Sequence, residues 1–416
     1  MDAERWVMRD AAEDSSSELL DRSPEEGARR LALAYLDAAA AAMPRLGDRD
    51  DDEALHDLRV ALRRLRSCLD AYGSQLGDCV PGKLARRLRR LADATGPGRD
   101  AEVQLAWLRR QRTDLSRRNH GHRGGLAWMQ ERLERRQERA YDELRSEVMR
   151  DFPRVEKGLR RRLSVYRAEV RLDGLPAPGF GAAAAGIVAR HAASLGRRLE
   201  RIAAAGEVRR AHRARISAKR LRYLAEPLEN LLAADRRPAA RAGELVRRLK
   251  ELQDLLGELH DAHVMEAEIA AAVRDAAAER AERLLELTLA AGEIDPGRLR
   301  SERRRPQEPA LLALARRNRA RRDALFGEFA VRWQGEPVAE LLAAAGAMAA
   351  ALRGEEGAAA TAPTAFAEAE PAPVVREAGT DAAADGTAAD GTPADGREAA
   401  GREVAGGAAP GLPGSW

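Results

Sequence analysis

Aromatic residues make up only 4% of this 416-residue chain, and that scarcity already narrows what the protein can be. A surface that holds single-stranded nucleic acid by base stacking needs exposed rings. Five each of Trp, Tyr and Phe leave few to spare from a core. Cysteine is rarer: Cys68 and Cys79 stand alone, at a spacing that fits neither a zinc ligand set nor a redox pair. Two incidental thiols fit a reducing compartment. Long apolar runs are missing as well. The longest uncharged helical stretch, Leu341 to Leu352, is too short and alanine-rich to span a bilayer, and Met1 to Ser23 lacks the apolar segment of a secretion signal. These absences predict a soluble, cytoplasmic protein with no membrane partner. Gly-rich phosphate loops and nucleophile-elbow motifs do not occur, so no catalytic residue, metal ligand set or cofactor is expected.

Lysine is confined to positions 83, 157, 219 and 250, so the 71 basic residues are almost all arginine. Arginine offers a planar fork that pairs with phosphate oxygens in a bidentate way and keeps its charge near neutral pH. The net charge of +4 hides an asymmetry. Residues 354–416 carry 11 acidic and 3 basic side chains, which leaves 68 basic against 56 acidic before them. That tail is built of Ala, Gly, Pro, Thr, Asp and Glu, with near-repeats from Asp381 to Gly396. It cannot bury enough apolar surface to fold, and it reads as a solubilising spacer or a weak competitor for a cationic site. Elsewhere Ala, Leu and Arg dominate while β-branched residues are few, which favours helix over sheet. The fold class expected is all-α.

One spelling occurs twice. His56-x-x-Arg59-x-x-x-Arg63-Arg64-x-Arg66 returns as His212-x-x-Arg215-x-x-x-Lys219-Arg220-x-Arg222. On a helix turning about 100° per residue, His56, Arg59, Arg63 and Arg66 share one stripe. Leu55, Leu58, Leu62, Leu65 and Leu69 fill the neighbouring sector, which is suited to burial. The second copy repeats the stripe with His212, Arg215, Lys219 and Arg222, beside Leu221 and Leu224. Like charges three and four apart repel, so something must offset each stripe: nearby Asp and Glu, solvation, or a bound polyanion. A second shared block follows each stripe: Leu88 to Val103 aligns with Leu249 to Val264 as Leu-x-x-Leu-x-Asp-x-x-Gly-x-x-[Arg/His]-Asp-Ala-x-Val. Here Gly96 and Gly257 look like helix terminators, and Asp100 and Asp261 like caps of the helices that follow or charge partners of nearby cations.

These two blocks, in this order in two halves, resemble the CHAD family, the conserved histidine α-helical domain, over residues 25 to 350. The resemblance implies an internally duplicated helical domain, two pseudo-symmetric halves of antiparallel helices around a basic central cavity that binds inorganic polyphosphate. Carried over by position, the ligand-facing candidates are His56, Arg59, Arg63, Arg66, Arg99, His212, Arg215, Lys219 and Arg222. The repeat is uneven, since Ser67 and Asp70 stand where Tyr223 and Glu226 stand in the second half. The Glu-x-Glu-x-Lys motif of the triphosphate-tunnel enzymes sometimes fused to this family is absent.

The expected organisation is a flexible leader over 1–23, a helical domain over 24–353 (halves 24–173 and 181–353, split by a Gly174 to Gly181 boundary) and a disordered tail over 354–416. Helices are expected at about 25–44, 52–76, 83–95, 99–113, 124–149 and 153–172, then 182–205, 207–233, 238–256, 260–291, 308–333 and 337–352. The function implied is non-catalytic binding of polyphosphate, and through it association with polyphosphate granules. Alternatives are weak, sequence-independent nucleic-acid binding and a helical scaffold for partner proteins. His260-Asp261-Ala262-His263 raises a metal-dependent phosphohydrolase, but the aligned Arg99-Asp100-Ala101-Glu102 lacks a matching ligand set. If His56 and His212 face a polyanion, its potential favours their protonation and tighter binding at mildly acid pH.

Overall fold

The computed structural model describes residues 18–47, 51–118, 122–165, 178–234, 240–290, 297 and 307–355. All of them fall in the first of two units into which the chain divides, 1–362 and 363–416. The chain before Glu18, residues 174–177 of the expected 174–181 boundary and the acidic tail from 356 onward lie outside the described residues.

Among the described residues every regular element is helical. The helices are α1 (Pro24–Arg45), α2 (Asp52–Ala71), α3 (Gly73–Leu76), α4 (Gly82–Ala94), α5 (Gly96–Arg118), α6 (Arg123–Leu163), α7 (Phe180–Glu200), α8 (Val208–Ala234), α9 (Ala240–Ala290), α10 (Gln307–Trp333) and α11 (Glu336–Arg353). Local chemistry sets several starts. Ser23 Oγ accepts from the Glu26 amide at 3.2 Å ahead of Pro24, and an Asp51 carboxylate oxygen accepts from the Ala54 amide at 3.0 Å, each satisfying an otherwise orphaned N–H.

Two expected breaks are absent. The 124–149 and 153–172 helices form one element, α6, which runs through Pro153 to Leu163. Val148, Phe152, Val155 and Leu159 are buried on either side of that exposed proline, and their burial outweighs the lost backbone bond. The 238–256 and 260–291 helices are likewise one element, α9. Gly257 therefore does not end a helix, and Asp261 does not cap one. An internal glycine costs about 1 kcal/mol, whereas Leu252, Leu256, Leu259, Ala262 and Met265 continue a buried stripe across it. In the first half α4 does stop at Thr95 and α5 begins at Gly96, so Asp100 lies inside α5 rather than at its cap. The described part of the expected 1–23 leader is packed against the domain: Leu19 and Leu20 are buried, and the Arg22 and Leu20 carbonyls accept from the Phe180 and Gly181 amides at 2.7 and 2.8 Å. Phe180 then packs over Gly27 of α1, where a Cβ would lie 2.2 Å from the ring.

Apolar burial is divided between two cores. The larger joins α1, α2, α4, the C-terminal part of α6, α7, α8, the N-terminal part of α9, the end of α10 and α11. The smaller is a four-helix cluster from α5, the start of α6, the far part of α9 and the start of α10, with Trp107, Leu108, Met129, Leu133, Ile269 and Leu314 among its members. The long helices α6, α9 and α10 contribute to both, so neither core follows the boundary between the sequence halves. The apolar Leu341–Leu352 stretch is part of the larger core, and among the described residues no single helix is long and apolar enough to cross a membrane.

Candidate functional site

Along α9 the larger core ends at Leu259 and the smaller begins at Met265, and along α5 the smaller core starts at Leu105. A cavity of about 1550 Å³ opens at this changeover, lined from α1, α2, α5, α8 and α9. Because α2 packs on α8, the two histidine-led helices present their stripes to one space.

Seven of the nine residues singled out by sequence line it: His56, Arg59, Arg63 and Arg99 from the first half, Arg215, Lys219 and Arg222 from the second. Arg66 and His212 are not among the lining residues. Arg66 is drawn to Asp93 at 2.6 Å and Asp70 at 3.9 Å, and the His212 ring stacks on His260 with centroids 4.9 Å apart. The aligned position of His260 is Arg99, which does line the cavity. The halves thus use the shared motif unequally, with histidine on the wall from α2 and none from α8.

Four of the cations, Arg59, Arg63, Arg215 and Lys219, make no ion pair with a carboxylate among the described residues. Arg59 donates only to His56 Nδ1, at 3.2 Å. The Nε atoms of Arg59, Arg215 and Arg222 are buried without a hydrogen-bond partner, which is costly unless another acceptor arrives. The electrostatics register the crowding. Burial, then Arg215, Arg63 and Arg59, pull the Lys219 ammonium down to about 7, against the opposing pull of Asp261. Burial lowers Arg215 and Arg59 as well, with Arg63 acting on both. Eight Arg and Lys side chains line the wall against six carboxylates, Glu53, Asp57, Asp100, Asp254, Glu258 and Asp261, so it keeps a positive excess.

Two lining residues were assigned a capping role by sequence. Asp100 and Asp261, at equivalent places in the second shared block, both face the cavity. Burial raises both carboxyls, Arg215 opposes the rise at each, and Asp100 adds to the rise at Asp261. The signal was present in their alignment beside Arg99 and His260, but the helix-cap reading absorbed it. Gly257 was missed for the same reason: it lines the cavity, and a Cβ there would meet nothing within 4 Å. Its lack of a side chain keeps the α9 wall open.

The metal-like run on α9 does not converge. Asp261 faces the cavity, the His260 ring rests on His212, and His263 is buried with Nε2 2.8 Å from the Ala205 carbonyl oxygen. Burial, then Arg215 and His212, push His260 down to about 3, so it stays neutral. Among the described residues no group of three or more His, Cys, Asp or Glu is placed to hold a metal ion.

No curated protein matches the chain. A solved structure, the CHAD domain from the plant Ricinus communis, aligns at 17% identity over 77% of this chain and 92% of its own, with a TM-score of 0.47. The family profile of the CHAD domain matches residues 30–270, a span that takes in both histidine-led stripes, both Asp-Ala-x-Val blocks and the cavity wall they form. The chain belongs to the CHAD domain family.

Proposed function

We propose that the cavity binds inorganic polyphosphate and does not hydrolyse it. The observation that carries this reading is the set of unpaired cations, Arg59 and Arg63 on α2 facing Arg215 and Lys219 on α8. Polyphosphate is a slim chain with about one charge per residue and no bases, so it can be recognised only by charge, spacing and shape. Guanidinium forks on two opposed helices answer each of these. The orphaned Nε donors of Arg59, Arg215 and Arg222 gain acceptors when phosphate oxygens enter. Nucleic acid is disfavoured because, among the described residues, the rings of Phe, Tyr or Trp in the wall are Tyr35 and Tyr223, both buried, which offers no platform for bases. Recruitment to polyphosphate granules in the cytoplasm would follow from such binding.

The test is a titration of the full chain with long-chain polyphosphate, single-stranded DNA of equal charge and tripolyphosphate, each at several salt concentrations. Polyphosphate should bind at least tenfold more tightly than DNA, with affinity falling steeply as salt rises. Equal affinity for DNA overturns the assignment. Steady release of orthophosphate would replace it with an enzyme.

A further inference from the structure

Outside the cavity many arginines are set against carboxylates. Arg247 meets Glu244 at 2.7 Å and Glu251 at 2.5 Å, Arg322 meets Glu266 at 2.8 Å, and Arg332 meets Glu328 at 2.6 Å. One helix pair gathers several that are not. On α7, Arg190, Arg197 and Arg198 recur at helical spacing and lead to Arg201 just beyond its end. On α8, which packs against α7, Arg213, Ser217 and Arg220 share a face at three- and four-residue spacing. None of these six arginines makes an ion pair with a carboxylate among the described residues.

The six form one group rather than a scatter. Arg198 is half-buried, and its Nη1 donates to Ser217 Oγ at 2.5 Å and to the Arg213 carbonyl oxygen at 3.4 Å, so it is held across the helix pair. Burial, then Arg220, Arg213, Arg197 and Arg201, lower its guanidinium. Burial, then Arg220, Arg190 and Arg198, bring His191 down to about 4. The two sets overlap at Arg198 and Arg220, which ties both helices into one positive field. Stepping 100° per residue, Arg213 and Arg220 lie roughly 140–160° from Arg215 around α8, on the side away from the cavity.

We propose that this α7–α8 face is a second phosphate-chain site, separate from the cavity, that takes inorganic oligophosphate through Arg190, Arg197, Arg198, Arg201, Arg213 and Arg220. Guanidinium forks without carboxylate partners are the donors that such a chain requires. Neither helix exposes a Phe, Tyr or Trp: Phe180 and Tyr223 are buried. A phosphoanhydride chain asks for nothing more, whereas a nucleic acid would also bring bases. The helix α8 then stands between two cationic rows, and a long chain leaving the cavity would find a second hold on the far side of the same helix. The site does not depend on what the cavity binds.

The test uses the full chain and tripolyphosphate at low salt, read by calorimetry. The wild-type protein should bind at two classes of site. The triple variant Arg190→Gln/Arg197→Gln/Arg213→Gln changes only exposed side chains. It should keep its melting temperature and lose one class by at least tenfold. The cavity variant Arg63→Gln/Lys219→Met should lose the other class and keep this one, so that failure of the cavity reading is told apart from failure of this one. Unchanged stoichiometry and affinity in the triple variant overturns the proposal. So does single-stranded DNA that binds the cavity variant tenfold more tightly than tripolyphosphate does.

Discussion

Arg64 on α2 and Glu226 on α8, 162 residues apart, meet at 3.0 Å. Glu226 also holds Arg222 from its own helix at 3.3 Å. Its counterpart Asp70 repeats the local pair with Arg66 at 3.9 Å, but turns to Arg89 at 3.5 Å instead of crossing between the halves. A single glutamate therefore pins the two stripes together at the cavity edge, with both arginines and the acid shielded from most solvent. Glu226→Gln should destabilise the protein by about 1–3 kcal/mol, because it removes the carboxylate that two part-buried guanidinium groups share. Chemical denaturation measures this. Polyphosphate affinity should stay within about threefold of wild type, since Arg64 and Arg222 remain on the wall.

The unpaired cations set stability against binding. Arg63 and Lys219 repel Arg59 and Arg215 across the cavity when no anion is present. Arg63→Gln/Lys219→Met should raise the melting temperature of the ligand-free protein by about 2–4 °C for each kcal/mol of repulsion removed. The same variant should bind polyphosphate at least tenfold more weakly at low salt. Its salt dependence should flatten by about 0.7 log units per log unit for each lost cation, by analogy with single strands. Thermal melts and salt-resolved titrations on one preparation test both signs together.

Asp100 and Asp261 occupy the positive cavity as carboxylates that burial makes reluctant to ionise. They temper the field of Arg215 and oppose an incoming anion. Asp261→Asn removes one negative charge from the wall, and a phosphate chain should bind about five- to tenfold more tightly, in line with a charge interaction of about 1 kcal/mol at a part-buried site. Weaker binding would mean that Asp261 serves to orient Arg215. The variant Asp100→Asn is expected to shift in the same direction.

The stripes were legible because helical spacing alone puts His56, Arg59 and Arg63 on one face and Leu58, Leu62 and Leu65 on another, and the leucines are buried as that requires. What spacing could not reveal was competition from elsewhere in the fold. Arg66 is taken up by Asp93, 27 residues on, and His212 by the ring of His260, both tertiary contacts with no periodic signature. Helix ends failed where burial overrode local preference. Pro153 and Gly257 are breakers in a peptide, yet each sits within a continuous buried stripe that holds the helix through it. The same misreading hid Asp100 and Asp261, because a residue taken for a cap is not sought in a binding wall. The unpaired arginines of α7 went unnoticed since they belong to no shared motif. Only the packing of α7 on α8 gathers them.

Lys219 is the group through which pH should act on the cavity. His56 and His212 were the residues expected to give pH dependence, but His212 rests on His260, whereas Lys219 is held at about 7 by burial and by Arg215, Arg63 and Arg59. Without ligand, Lys219 loses its proton as pH rises through about 7. Beside a phosphate chain the negative potential returns it toward the ordinary lysine value of about 10.4. Between those limits the bound state holds one more proton than the free state, so affinity should be level below about pH 7. Above that it should fall by up to about tenfold per pH unit. Calorimetry at pH 8 in two buffers of different ionisation enthalpy should report uptake of close to one proton per cavity filled. In Lys219→Arg the charge is fixed, and both the uptake and the decline above neutrality should disappear while affinity at pH 6 is kept. A variant that still takes up the proton would place the titrating group elsewhere on the wall.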